Sequence, residues 1–192
     1  MRVAIFDDMK QCTEQEVQRL LPLVSVQRRE QALKYKHVLG QFCCLKSWLM
    51  LYEEIKELGD FLYNEHGKPY LENGPYFSIS HCKEGIAVAI DDQPIGIDIE
   101  HIRHADKDLI DRVMNEEERV GMDDRKFTRL WTQKEAIVKA QGTGIYSFEQ
   151  LKEIRSQESG FRIQTVEKEK YIYSIAYGKL HCIGALVPAA DL

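Results

Sequence analysis

No apolar run in the chain approaches the roughly 20 residues that a membrane-spanning helix needs, which argues against an integral membrane protein. The opening stretch, Met1-Arg2-Val3-Ala4-Ile5-Phe6-Asp7-Asp8, turns acidic too early for a secretion signal. Cysteine is sparse: Cys12, Cys43, Cys44, Cys82 and Cys182 make an odd set with no CxxC pair. That speaks against a disulfide framework, and a reduced, cytoplasmic protein is the expectation. A basic surplus is also missing. The net charge of -5 argues against a general nucleic-acid binder, whose phosphate contacts would require one. His101 and His104 stand three apart without a further ligand at zinc spacing. Neither a G-x-x-x-x-G-K-[ST] phosphate loop, a G-x-G-x-x-G turn nor a G-x-S-x-G elbow is present.

What is present is an ordinary globular balance: 192 residues, 44% hydrophobic and 30% charged, enough for one large domain or two intimately packed halves. Val3 to Phe6 reads as a short buried strand, and Glu14 to Leu23 as an amphipathic helix ending near Pro22. The stretch from Val26 to Ile55 reads as two helices meeting near Gly40. Phe61 to Tyr63 and Gly67 to Tyr70 suit short strands around a turn. From Phe77 the period becomes two: Ile86, Val88 and Ile90 alternate with alanines. Asp91, Asp92 and Pro94 then supply a turn, and Ile95 to Glu100 starts another strand. Asn115 and Glu118 have capping-box spacing. A helix over about 126–140 should stop at Gly142-Thr143-Gly144. The tail alternates through Phe161 to Thr165, Tyr171 to Ile175 and Cys182 to Val187, as an antiparallel meander would. The fold class is therefore α+β, with its sharpest break at 91–94.

Three groups of residues could carry chemistry. In a strand, Asp98 and Glu100 project from one face while Ile97 and Ile99 face the core. Paired carboxylates suit a hard cation such as Mg²⁺, although two solvated surface acids are the blander reading. In the helix Trp131-Thr132-Gln133-Lys134-Glu135-Ala136-Ile137-Val138-Lys139-Ala140, Glu135 and Lys139 share a face. Alone they would be a surface ion pair, and Lys134 beside Glu135 could be simply solvated. Ala136, Ala140 and the glycines at 142 and 144 permit close approach of backbone or ligand. Lastly, Ser80 and His81 end the strand of Phe77-Ser78-Ile79-Ser80-His81, where hydroxyl and imidazole can bind a phosphate.

Taken in order, Phe77 to His81, Ile95-Gly96-Ile97-Asp98-Ile99-Glu100, and Trp131 through Lys139 to Gly144 resemble the three signature blocks of 4′-phosphopantetheinyl transferases, of the monomeric surfactin-synthetase-activating type. Gly67-Lys68-Pro69-Tyr70 and the segment Ser25 to Glu30 match further elements, so the resemblance runs from about Ser25 to Gly144. It implies two similar α+β halves with antiparallel sheets related by a pseudo-two-fold, 1–93 and 94–192, with the site between them. It implies Mg²⁺ (or Mn²⁺) on Asp98, Glu100 and Glu135, with Glu135 or a water it orients taking the serine proton. Lys139 would steady the pyrophosphate, and Ser80, His81, Lys68 and Arg28 would hold the coenzyme A 3′-phosphate. Asp98, Glu135 and Lys139 would thus be catalytic, and the co-substrates coenzyme A and an apo acyl or peptidyl carrier protein. Glu118 matches another family acid.

The chain departs from the pattern at Gln31 and Gln41, where basic residues would have favoured coenzyme A; Lys46 could substitute. Arg19, Arg28, Arg29, Lys34, Lys36 and Lys46, opposed only by Glu30, could meet an acidic carrier, and Ile145, Tyr146 and Phe148 could be a docking floor or core. Two other readings stay open: an Mg²⁺-dependent phosphodiester or pyrophosphate hydrolase, and a non-catalytic relative that binds coenzyme A or a carrier.

Overall fold

A computed structural model describes residues 1–144, 147–155 and 158–178. Strand β1 (Arg2–Phe6) pairs antiparallel with β5 (Gly85–Asp91), which pairs antiparallel with β4 (Tyr76–Cys82). Between β1 and β4 lie helices α1 (Glu14–Leu20), α2 (Val26–Leu33) and α3 (Val38–Ile55), and a hairpin of β2 (Leu62–Tyr63) and β3 (Pro69–Tyr70). The second part begins at β6 (Ile95–His101) and continues through α4 (Lys107–Val113), α5 (Glu116–Arg119), α6 (Asp124–Gln141) and α7 (Phe148–Glu153). It closes with β7 (Arg162–Glu167) and β8 (Tyr171–Tyr177). The expected strand at Cys182 to Val187 lies outside the described residues.

Both parts run the same path. Each begins with a strand, includes an 18-residue helix, and ends in a hairpin whose last strand inserts beside the first. The sheet orders are β1-β5-β4 and β6-β8-β7.

Side-chain alternation explains the layering. On β5, Ile86, Val88 and Ile90 pack under α1 and α3, whereas Ala87 and Ala89 face the second sheet. The small residues leave room there for Ile95, Ile97 and Ile99 of β6 and Tyr171 and Ile175 of β8. The result is helix, sheet, sheet, helix, with an apolar seam between the sheets. β4 also runs beside β6: the Ile97 N–H donates to Ser78 Oγ at 3.0 Å.

Helix ends follow the capping rules. Thr13, Ser25, Asp106, Asp123 and Ser147 each accept a backbone N–H at an N-terminus, and the Asn115–Glu118 capping box forms. α6 ends where expected, with Gly142 at φ 76°. Two expectations need correcting. The amphipathic helix at 14–23 stops at Leu20 and tightens into a 3₁₀ turn over Leu21–Leu23, because Pro22 cannot continue the ladder. The break between α2 and α3 falls at residues 34–37, not at Gly40. Gly40 lies inside α3, where a Cβ would sit 2.8 Å from the Tyr35 ring; the glycine serves that contact, not a hinge.

Gly96 does the most to set the site. A Cβ on it would fall 1.9 Å from the Ala136 carbonyl oxygen and 2.5 Å from the Ala140 nitrogen. Backbone of β6 therefore touches backbone of α6, which is possible only with glycine on the strand and alanines on the helix.

Candidate active site between the two halves

That contact brings the carboxylates of β6 against the face of α6 that bears Glu135 and Lys139. They open onto a cleft of about 450 Å³, closed on its other side by α2, α3 and the β2–β3 hairpin. Asp98 is only 4% exposed, so the solvated-acid reading fails. Its Oδ1 accepts from Lys139 Nζ at 2.7 Å and from the Ser80 hydroxyl at 2.8 Å. Lys139 Nζ also donates to Ser80 Oγ at 3.0 Å. The charge of Lys139 is thus spent on Asp98 rather than on a surface pair within its own helix.

The electrostatics are crowded. Burial first, and the charge of Asp98 second, push both Glu100 and Glu135 up to about 7. Lys139 offsets only part of this. Asp98 Oδ2 is buried and has no hydrogen-bond partner among the described residues. Among the described residues no three acidic, histidine or cysteine side chains are placed together to hold a metal ion. The donor set nevertheless fits a hard divalent cation. Such an ion would satisfy the orphaned Asp98 oxygen and favour the charged forms of both glutamates.

The other expected residues divide. His81 lines the cleft mouth, where desolvation and then Lys139 draw its imidazole below the ordinary histidine value, so it enters as a neutral ring at pH 7. Arg28 lines the far end, braced by bonds from Nε to the Cys44 carbonyl at 2.8 Å and from Nη2 to Ser47 Oγ at 3.1 Å. Gln31 lines the cleft as well. Gln41 instead donates to the Tyr35 carbonyl at 2.9 Å, and Lys46 lies over the Phe6 ring at 4.4 Å, so neither reaches it. The Lys68 ammonium rests on the carbonyls of Lys139 and Ile95, at 2.5 and 3.3 Å, and burial draws its pKa down to about 8.

Lys134 overturns the solvated reading given to it. It is 1% exposed and donates to Glu118 Oε2 at 2.8 Å, the Leu151 carbonyl at 2.7 Å and the Val113 carbonyl at 3.2 Å. Glu118 thereby gains a structural role, closing its capping box while pairing with a buried lysine. Phe148 packs into the core with the Arg112 guanidinium stacked on its ring, so it is no open docking floor; Ile145 and Tyr146 lie outside the described residues. Within the basic segment, Arg19 pairs with Glu16 at 2.6 Å and Arg29 Nε donates to the Leu21 carbonyl. Sequence reasoning gave no role to Trp131, Tyr35 or Tyr63, all of which line the cleft. Trp131 had a signal: it stands four residues before Glu135 and eight before Lys139, on the same helical face.

An α+β fold of two like-wound halves, with carboxylates, a lysine and a hydroxyl meeting between them, defines a class of protein suited to a phosphate-bearing substrate and a divalent cation. Comparison with known proteins makes this specific. The 4′-phosphopantetheinyl transferase superfamily model matches residues 94–189, and the chain belongs to that superfamily. It is 33% identical over 119 residues to the 4′-phosphopantetheinyl transferase gsp of Aneurinibacillus migulanus, covering 58% of this chain and 50% of the relative. Identity to the 4′-phosphopantetheinyl transferase Sfp of Bacillus subtilis (strain 168) is 28% over 149 residues, or 69% and 66% of the two chains. The AcpT enzyme of Salmonella typhimurium is 35% identical over 112 residues, or 50% and 58%. The matches thus span between half and two-thirds of these relatives' length. Among the described residues no helix is long and apolar enough to cross a membrane.

Proposed function

We propose that this protein transfers the 4′-phosphopantetheine group of coenzyme A to a serine hydroxyl of an apo acyl or peptidyl carrier protein, releasing 3′,5′-ADP. The observation that carries the reading is the contact of Asp98 with Lys139 and Ser80, in a cleft that Glu100 and Glu135 also line and that is large enough for a nucleotide. The printed activity of the superfamily relatives supports it. So does the division of the chain into halves 1–93 and 94–192, each lining one side of the cleft. The thiols Cys12, Cys43, Cys44 and Cys82 are free, which suits a reducing cytoplasm.

In this scheme Asp98, Glu100 and Glu135 would hold Mg²⁺, and oxygen donors would accept Mn²⁺ equally. Such a cation, when bound, neutralises charge on the phosphoryl oxygens. The carrier serine oxygen attacks the β-phosphorus, and the bond from that phosphorus to the oxygen bridging to the α-phosphate breaks. Glu135, directly or through a water, receives the serine proton. Lys139 exchanges its bond to Asp98 for the pyrophosphate and steadies the departing 3′,5′-ADP. Ser80 and His81 donate to the 3′-phosphate, with Arg28 as its cation. Most of the rate enhancement then comes from positioning and charge. Lys34 and Lys36, with what Arg29 and Arg19 leave uncompensated, would complement an acidic carrier.

The deciding experiment is the intact mass of an apo carrier protein after incubation with this protein, coenzyme A and Mg²⁺. We expect a gain of one phosphopantetheine that disappears with EDTA and with Glu135→Gln. Coenzyme A consumed without carrier labelling would overturn the reading in favour of a hydrolase. Intact coenzyme A across several carrier types would overturn it in favour of a binding protein.

A further inference from the structure

The hairpin at residues 62–70 belongs to the first half, yet its polar groups are spent on the second. Asn64 Nδ2 donates to the Gly142 carbonyl at 2.8 Å, on the residue that caps α6. The Asn64 Oδ1 accepts the backbone N–H groups of His66 and Lys68, at 3.0 and 2.8 Å, so the loop is braced by the same side chain that reaches across. Lys68 Nζ then donates to the carbonyl of Lys139, on α6, and to that of Ile95, the first residue of β6. One ammonium therefore ties together the two elements that carry Asp98, Glu100, Glu135 and Lys139. The Lys139 carbonyl is among the last four of α6, which have no partner within the helix and need an outside donor. Gly142 fits the same contact: a Cβ there would already lie 3.5 Å from Asn64 Nδ2 and from Lys68 Cδ.

We propose that the hairpin is a clasp, and that Lys68 and Asn64 are positioning residues acting through the backbone of α6 and β6 rather than ligands of the coenzyme A 3′-phosphate. The proposal rests on the transfer reading for its kinetic consequence. Tyr63 and Pro69 of the same hairpin line the cleft. A nucleotide seated against them presses on the element that holds the end of the catalytic helix, so occupancy of one half reinforces geometry in the other. A phosphate ligand and a clasp differ in what their loss does. Losing a ligand weakens binding of coenzyme A; losing a clasp leaves binding intact and misplaces Lys139 and Glu135 during reaction.

The test is Lys68→Met, assayed for carrier labelling with coenzyme A and with 3′-dephospho-coenzyme A, and for hydrogen exchange. For a clasp, we expect kcat to fall about ten- to hundredfold. KM for coenzyme A should stay within about threefold. The same fractional loss should appear with the dephospho substrate, which has no 3′-phosphate to bind. The amides of Lys139 to Gly142 should exchange faster. A raised KM confined to coenzyme A, or an unchanged kcat, would overturn the proposal. Should Lys68→Met fail to fold, Asn64→Ala removes the bond to Gly142 together with the two loop bonds from His66 and Lys68, keeps the Lys68 ammonium, and is judged by the same criteria. If the wild-type protein labels no carrier, the transfer reading has failed. The exchange measurement then decides the clasp alone, and unchanged protection at Lys139 to Gly142 overturns it.

Discussion

The two halves share a path and differ in what they place between strand and helix. In the first, the helix-facing side chains of β1 are Ala4 and Phe6, and those of β5 are Ile86, Val88 and Ile90. They meet Phe42, Leu45 and Leu51 of α3, which is buried on most of its circumference. In the second, the corresponding face of β6 carries Gly96, Asp98 and Glu100. Behind it Thr132 and Ser174 share a hydrogen bond of 2.8 Å, and Ser174 and Thr165 share another of 2.9 Å. One half uses the strand–helix interface as core; the other has opened it into a site. The buried hydroxyls there pair with one another, whereas Asp98 Oδ2 is left without a partner among the described residues. The apolar seam between the sheets and the outer core of α3 carry the stability that this opening gives up.

The strongest test of that division is to separate activity from stability. Asp98→Ala should reduce carrier labelling by about a thousandfold or more, as expected when a charge-stabilising group is lost. It should leave the fold intact, because loss of the carboxylate relieves the crowding of Glu100 and Glu135 while Lys139 keeps its bond to Ser80. Phe42→Ala, in the other half, should cost about 3–5 kcal/mol of stability by leaving a cavity, measured by urea unfolding, with little change in KM. If the two variants behaved alike, the division of labour would be wrong. Gly96→Ala comes next. The new methyl has only backbone to meet, so it must push β6 from α6; we expect a loss of about 2–3 kcal/mol together with most of the activity. A stable, active Gly96→Ala protein would show that the close contact is not what assembles the site.

These contrasts were only partly legible in the sequence. Period-two alternation put Asp98 and Glu100 on one face of a strand, and the structure keeps them there. The chain order of the three blocks supplied what the separate residues could not, since each alone looked like solvated charge. Lys134 and Glu135 show the limit. Adjacent on a helix, they point to different neighbours, and only the packing of α5 and α7 reveals that Lys134 is interior. Lys68 shows another. The resemblance implies a phosphate ligand there, and a bond to a carbonyl 71 residues away leaves no local signal. Gly40 reads as the junction of two helices because the Tyr35 ring that demands a glycine there is visible only in the folded chain. Gly96 was seen as strand face, but its role follows from Ala136 and Ala140, which lie on another element.

Acid sharpens the comparison further. Glu100 and Glu135 have folded-state pKa values raised to about 7, from about 4.5 when unfolded. Between those values the folded protein binds more protons than the unfolded chain, so their contribution to stability grows as pH falls from 7 and is lost as pH rises through 7. The first half holds no comparable acidic cluster among the described residues. The metal-free protein should therefore show a Tm that rises on mild acidification below pH 7, with a slope reduced in Glu100→Gln. Added Mg²⁺ should raise Tm more at pH 8 than at pH 6, because the ion and protons compete for the same oxygens. A Tm indifferent to both would mean that the carboxylates are not crowded.

The smallest expected effect probes the seam itself. Tyr171, on β8, donates its hydroxyl to Asp7 Oδ2 at 2.9 Å, a polar tie between the two halves. The ring is buried in the inter-sheet core while its hydroxyl reaches an exposed carboxylate, so Tyr171→Phe removes one hydrogen bond and keeps the packing. The cost should be about 1 kcal/mol. If the halves are held mainly by the apolar seam, unfolding stays a single transition with an unchanged denaturant slope, and carrier labelling is unaffected. Were the bond a principal tie, the transition would broaden or split into two. The halves would then be better described as separately stable units joined at a hinge.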